Sequence, residues 1–410
     1  MNRILTTHVG SLVRPKELLA LLEAMDRGED VADAVYQDCV RKSVAEAVLQ
    51  QAEVGIDIVS DGEMGKINWI SYLFERMTGF ELLSRYHDHL LPPSRDRLHF
   101  PEFYAEHDAE IARRYRRIMY TGASGRLMRR GEIESRDQGS KMLRESWICT
   151  GPITYKDALL QVDLANFRAA LQGVKVTGAF LPVVAPASVI WLENEYYKTD
   201  EELVFAIADA QRHEYRAIID AGFYLQVDDA VLAHEYDTIM SKGGTIKEYR
   251  RWAQVRIDAL NHALQGLPED RIRYHVCWGS WHGPHMFDPP LSEIIDFVLQ
   301  VNAGAYAIEQ ANPRHEHEWR LWEQVKLPDG KKLIPGVITH ATNTIEHPEL
   351  VSERLERIAR LVGRDNILAG TDCGFAQGAF IQRVHPSIQW AKLVALVQGA
   401  ALASQRLWKK

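Results

Sequence analysis

The sequence predicts a single α/β domain of the (β/α)8 barrel type, spanning 1–410, with an Arg-rich insertion at 80–145 after the second strand. Three observations lead there. Short apolar runs alternate with helical patterns along most of the chain, as in a parallel sheet with helices outside. The run at 6–11 is followed by a long helix and a second run at 56–63, the crossover that parallel strands require. Polar, chemistry-bearing residues recur where the runs end: Ser11, Glu63, Asp228, Cys277, Glu309, His340 and Cys373. In a barrel these ends form one face, and barrel enzymes keep their chemistry there. No glycine-rich phosphate fingerprint follows the first run, which argues against a nucleotide-binding fold.

The elements follow in order. Thr6–Ser11 reads as a strand ending in a Gly-Ser turn, residues 33–54 as an amphipathic helix stopped by Gly55, and Ile56–Glu63 as a second strand. Residues 80–145 then break the rhythm. They are rich in Arg and His, hold Leu91-Pro-Pro-Ser94, and show a helical piece near 109–119. A solvated face laced with salt bridges is one reading of this stretch. The other is a lid or oligomer arm that lends a cation to a substrate. Further strands are expected at 147–154, 179–184, 224–228, 272–277, 305–309, 333–339 and 367–373. With 6–11 and 56–63 that makes nine where a barrel needs eight, so 147–154 is assigned as an accessory strand beside the insertion. A helix opened by Pro348 and closed by Gly363 should bury Leu355, Ile358 and Val362, with outer pairs Glu353–Arg357 and Glu356–Arg360.

Composition narrows the function. Of 410 residues 46% are hydrophobic and 25% charged, an ordinary globular balance. A net charge of -8 gives no reason to expect nucleic acid or an anionic membrane as partner. No run approaches the roughly 18 apolar residues of a membrane span. The first residues lead directly into a strand, so a cytoplasmic location is expected. The four cysteines are too few for a disulfide framework. Cys39 and Cys149 lie in apolar patterns and read as core, whereas Cys277 and Cys373 sit where strands give way to loops.

His275 and Cys277 are one residue apart in a strand and therefore face the same way. With Glu309 and Cys373 at neighbouring strand ends they make a plausible tetrahedral zinc set. Each has a plainer reading: Glu309 as a helix cap, Cys373 as a small core residue. The pair His282 and His285 is a weaker rival, because a Gly-Pro loop does not fix both rings. Asp372 should face away from Cys373. Two thiolates and a carboxylate suit activation of a thiol better than activation of water: a substrate thiol would lose its proton yet stay electron-rich.

The set His-x-Cys, Glu and Asp-Cys-Gly, with Val9-Gly-Ser11 and Asp61-Gly-Glu63 upstream, resembles the C-terminal catalytic barrel of cobalamin-independent methionine synthase. The resemblance runs from about Thr6 to the C-terminus apart from 80–145, and it is closest to the short, single-barrel relatives. It implies a zinc enzyme that methylates a thiol such as homocysteine, the sulfur being held on the metal as thiolate. By the same resemblance His275, Cys277, Glu309 and Cys373 hold zinc, Ser11, Glu63 and Asp228 hold the amino-acid part of the thiol, and His340 donates a proton to the leaving group. The partners implied are a small thiol and a methyl or alkyl donor. The short relatives include the enzyme that joins coenzyme M to epoxides, so alkyl transfer to another acidic thiol is the alternative reaction. A non-catalytic barrel with a structural zinc is the alternative of another class. Away from the resemblance, Asp228 could make a rim salt bridge and His340 could be a satisfied rim histidine.

Overall fold

The computed structural model describes residues 2–87, 94–107, 142–189 and 192–409. Its strands are β1 (Ile58–Ser60), β2 (Phe80–His87), β3 (Met142–Cys149), β4 (Gly178–Val184), β5 (Glu193–Asn194), β6 (Tyr224–Asp229), β7 (Ile272–Val276), β8 (Ala305–Glu309), β9 (Lys332–Ile338), β10 (Gly370–Thr371) and a short antiparallel pair, β11 (Ala376–Gly378) and β12 (Ile381–Gln382). Seven of them form one curled parallel sheet in the order β1-β4-β6-β7-β8-β9-β10. Its two edge strands both meet residues 5–7. The backbone amides of Asp57 and Ile58 donate to Thr6 O, and Ala369 exchanges hydrogen bonds with Leu5 and Thr7 at 2.8 Å each. The expected first strand is thus reduced to a bridge at Thr6. Beyond it the chain leaves the ladder, with Gly10 at φ 127° and His8 bound to Gln51 on the long helix Asp33–Glu53.

Alternate residues of the same strands build two separate cores, as the pleat requires. Val59, Leu181, Tyr306 and Ile308 join the large core under the helices. Ile58, Phe180, Ala305, Ala307, Ile334 and Leu368 form a small second cluster. The Arg273 guanidinium lies 3.9 Å from the Phe180 ring centroid and donates to Thr7 Oγ1 and His8 O. Parallel register sets Asp228 beside His275, His275 beside Ala307, and Glu309 beside Gly336. The functional side chains therefore stand at nearly one level.

The 147–154 run lies outside this sheet: β3 pairs antiparallel with β2 and runs parallel to β5. Residues 88–93 and 108–141 fall outside the described residues, and with them the helical piece expected near 109–119. Within 80–145, the described segment 94–107 packs against the helix Val231–Ser241 and the loop around 286. The Arg95 amide donates to Asp237 at 2.9 Å, and Asp96 accepts from the Met286 amide at 3.1 Å. The helix Pro348–Val362 is as expected, with Leu355 and Ile358 fully buried, Val362 half-buried and Gly363 at φ 92°. Glu356 pairs with Arg360, but Arg357 reaches Glu316 instead of Glu353. Glu316, on the neighbouring turn Glu316–Glu323, already holds Arg354 through both oxygens. No helix among the described residues is long and apolar enough to cross a membrane.

Candidate metal centre and its cavity

β7 ends by placing two soft donors on one face. An imidazole nitrogen of His275 and the sulfurs of Cys277 and Cys373 lie within 4.8 Å of one another, all buried. His275 Nδ1 is 3.2 Å from Ala307 O, whereas Nε2 is buried with no hydrogen-bond partner. A carbonyl that takes one ring N–H leaves the other nitrogen's lone pair for a metal. An orphaned imidazole nitrogen facing two thiols fits a zinc-type cation and is hard to explain without one. The hydrogen bond from Cys277 holds the Cys373 thiol well below its usual range and pushes Cys277 well above it. Burial opposes the charge on His275, yet Cys373 raises its pKa. One imidazole and two thiols buried around one point form a donor set that fits a divalent ion of the zinc type.

Glu309 lies next to these three but not among them. Its oxygens accept from the Trp278 amide at 3.3 Å and from Asn312 Nδ2 at 2.7 Å, and its carboxylate groups with His340 and Asp372. Burial, with the charges of Asp372 and Cys373, raises Glu309 well above the usual carboxylate range. Asp372 accepts the amides of Gln310 and Ala311 at 2.8 Å each and stays out of the cavity, facing away from the side that Cys373 lines. Burial brings His340 down to about 4, so its ring is neutral at pH 7. It does not line the cavity, and its Nδ1 has no partner.

A cavity of about 400 Å³ opens in front of the metal group, and Ser11, Glu63, Asp228, His275, Cys277 and Cys373 all line it. Glu63 sits in the left-handed region at φ 58°, directly after Gly62 at φ 70°. Its amide is held by Asp61 Oδ1 at 3.0 Å. A non-glycine residue in that conformation marks a site where geometry is bought with strain. Burial raises Asp228 to about 7, against the pull of His275; Gln226 Nε2 donates to it at 2.9 Å.

Several contributors escaped the sequence reading. Lys66 Nζ pairs with Glu63 at 3.3 Å, donates to Pro182 O, and stands 4.3 Å over the Tyr72 ring. Its only sequence signal is the three-residue spacing from Glu63. Trp281 covers the outer cavity wall, and a Cβ on Gly279 or Gly283 would fall inside its indole. Tyr104 and Arg97, from the seated part of the insertion, line the same mouth, with the guanidinium 4.5 Å from the Tyr104 centroid.

A curled parallel sheet with a candidate metal-binding group at its strand ends, opening on a pocket, is the frame of an α/β enzyme. The family model for the cobalamin-independent synthase catalytic domain matches residues 4–95 and 113–395, and the chain belongs to that family. Among curated relatives, the methionine synthase of Sulfolobus acidocaldarius is 24% identical over 409 residues, 99% of this chain and 94% of that one. The 2-hydroxypropyl-CoM lyase of Xanthobacter autotrophicus is 23% identical over 434 residues, covering 98% and 96%. The solved B12-independent methionine synthase of Shewanella sp. W3-18-1, in complex with selenomethionine, superposes with a TM-score of 0.69 at 20% identity over 99% of both chains.

Proposed function

We propose that this chain is a zinc-dependent thiol methyltransferase of the methionine synthase type, acting on a small amino-acid thiol such as homocysteine. The sheet is read as a (β/α)8 barrel whose eighth strand is the segment around Thr6. The carrying observation is that three candidate metal ligands and three polar residues, drawn from several strand ends and one loop, line one pocket. A structural zinc has no need of such a pocket.

His275, Cys277 and Cys373 would hold the metal, with Glu309 as fourth ligand once its carboxylate turns from Asn312. Zinc there supplies a lowered thiol pKa while leaving the sulfur nucleophilic. Asp228 and Glu63 receive the substrate ammonium, and Ser11 offers its hydroxyl toward the carboxylate once it turns from Ala376 O. Lys66 keeps part of Glu63's charge neutralised until the ammonium arrives. His340, neutral at pH 7 and outside the cavity lining, is disfavoured as proton donor. The four free cysteines suit a reducing cytoplasm. Alkyl transfer to an anionic thiol is the second reading, favoured by the CoM lyase relative and by Arg97 and Arg383 on the cavity wall.

X-ray absorption on zinc-loaded protein, with and without homocysteine, tests the function. One added sulfur in the metal shell is the expected result; an unchanged shell at saturating thiol would refute it. Asp228 gives a pH test. With its carboxyl near 7, ammonium binding must drive off a proton below that pH, so the thiol KM should fall as pH rises from 6 to 8. Asp228→Asn should raise that KM by about 10-fold or more, the loss of a charge-assisted hydrogen bond, and flatten its pH dependence. Zinc content, read by elemental analysis, should not change.

A further inference from the structure

We infer that Arg14 is the positioning residue that sets the thiol-binding end of the cavity. The inference rests on the proposed thiol site but concerns a side chain that does not line the cavity. Arg14 is buried at 2% exposure. Its Nη1 donates to Leu12 O at 3.1 Å, Ala376 O at 2.8 Å and Ser11 Oγ at 3.3 Å. Its Nη2 donates to Glu63 O at 2.9 Å and Lys66 O at 3.0 Å. One guanidinium thus binds three loops: the one carrying Ser11, the one carrying Glu63 and Lys66, and the one that follows Cys373.

Each loop needs such a clamp for a stated reason. Glu63 O belongs to a residue held at φ 58°, and left-handed backbone at a glutamate persists only where its surroundings over-determine it. The Leu12 amide already ties to Gly62 O at 3.1 Å, and Arg14 adds the next carbonyl of the same turn. The Phe375 amide donates to Ser11 O at 2.9 Å, and the Ser11 hydroxyl also donates to Ala376 O, the carbonyl that Arg14 shares. The Ser11 and Cys373 loops abut so closely that a Cβ on Gly374 would stand 2.7 Å from Ser11 Cβ. A planar fork of donors can reach carbonyls on three sides; an ammonium has three donors around one point and cannot. Burial costs this cation, and the nearby charges of Glu63 and Asp61 offset part of that cost. A buried arginine satisfied mainly by backbone oxygens serves geometry rather than charge balance.

The experiment is calorimetric titration of the zinc-loaded protein with homocysteine, followed by steady-state kinetics. Wild-type binding establishes the thiol site first; its absence would overturn the substrate reading and, with it, the assignment of Arg14 to a thiol-binding end. Given wild-type binding, Arg14→Lys should weaken homocysteine affinity by about 10- to 100-fold, with zinc content, donor KM and circular dichroism as in wild type. Glu63→Gln should weaken it as well, and the double variant should lose little beyond the worse single change, since Arg14 acts through Glu63. If Arg14→Lys does not yield folded protein, Arg14→Gln, which keeps a single NH2 donor for one loop and loses the fork, carries the same cycle. Additive losses in the cycle, or a fall in kcat with the thiol affinity unchanged, would overturn the assignment.

Discussion

Replacing Cys277 or Cys373 by serine is expected to empty the metal centre. Each sulfur belongs to a buried trio whose donor atoms lie within 4.8 Å of one another. A serine hydroxyl is a hard, neutral donor that cannot replace a thiolate. Disturbing an outer-shell partner of a metal ligand typically costs 10- to 100-fold, so loss of a ligand should lower turnover by more than about 100-fold. Elemental analysis should find well under half the wild-type zinc. Far-ultraviolet circular dichroism should be unchanged, because neither sulfur supports the strand ladder. Full zinc in both variants would remove the proposed centre altogether.

The second large effect is on stability. Arg76→Met should destabilise the fold by about 3–5 kcal/mol, read from denaturant unfolding. Arg76 is buried, its Nη1 is 2.8 Å from Glu214 Oε1, and its Nη2 binds Asp163. Its guanidinium also lies 4.9 Å from the Tyr72 ring, whose hydroxyl receives the Val184 amide at 3.1 Å. Deleting the cation strands a fully buried carboxylate on the helix Asp200–Asp220. Arg76→Met/Glu214→Leu should recover part of the loss, because removing both charges leaves nothing unpaired. A single variant as stable as wild type would mean that the pair contributes nothing.

What the sequence made legible follows from local rules. Strand β8 was readable to the residue, and the helix Pro348–Val362 to its first and last turn, because their periodicity and punctuation are contained in short windows. Ser11, Glu63, Asp228, Cys277 and Cys373 line the cavity as the pattern of run ends suggested, whereas Glu309, at the very end of β8, and His340 do not. The misses have the opposite origin. Arg14, Lys66 and Arg76 look like ordinary surface cations in sequence, and their partners lie on other loops and helices. Arg357 obeyed the helix-pair rule on paper, but a carboxylate from a neighbouring turn offered a better fit. Thr6–Ser11 has strand composition, yet its backbone leaves the ladder after Thr7 to bring Ser11 over the cavity.

The ligands' distribution has a consequence for how the chain assembles. His275 and Cys277 stand on a central strand, while Cys373 follows the last strand of the sheet, which residues 5–7 join to the first. Close to a hundred residues separate the two sulfurs, so the proposed cation would be a long-range chelate across the slowest contacts of the topology. It could be gripped only after the arc from β7 to β10 is in place, and once gripped it would resist reopening of the seam. Metal occupancy would then report late assembly. Stripping it should first loosen the amides of residues 5–7 and 369, at the seam of the sheet, in hydrogen exchange, before the central strands are touched.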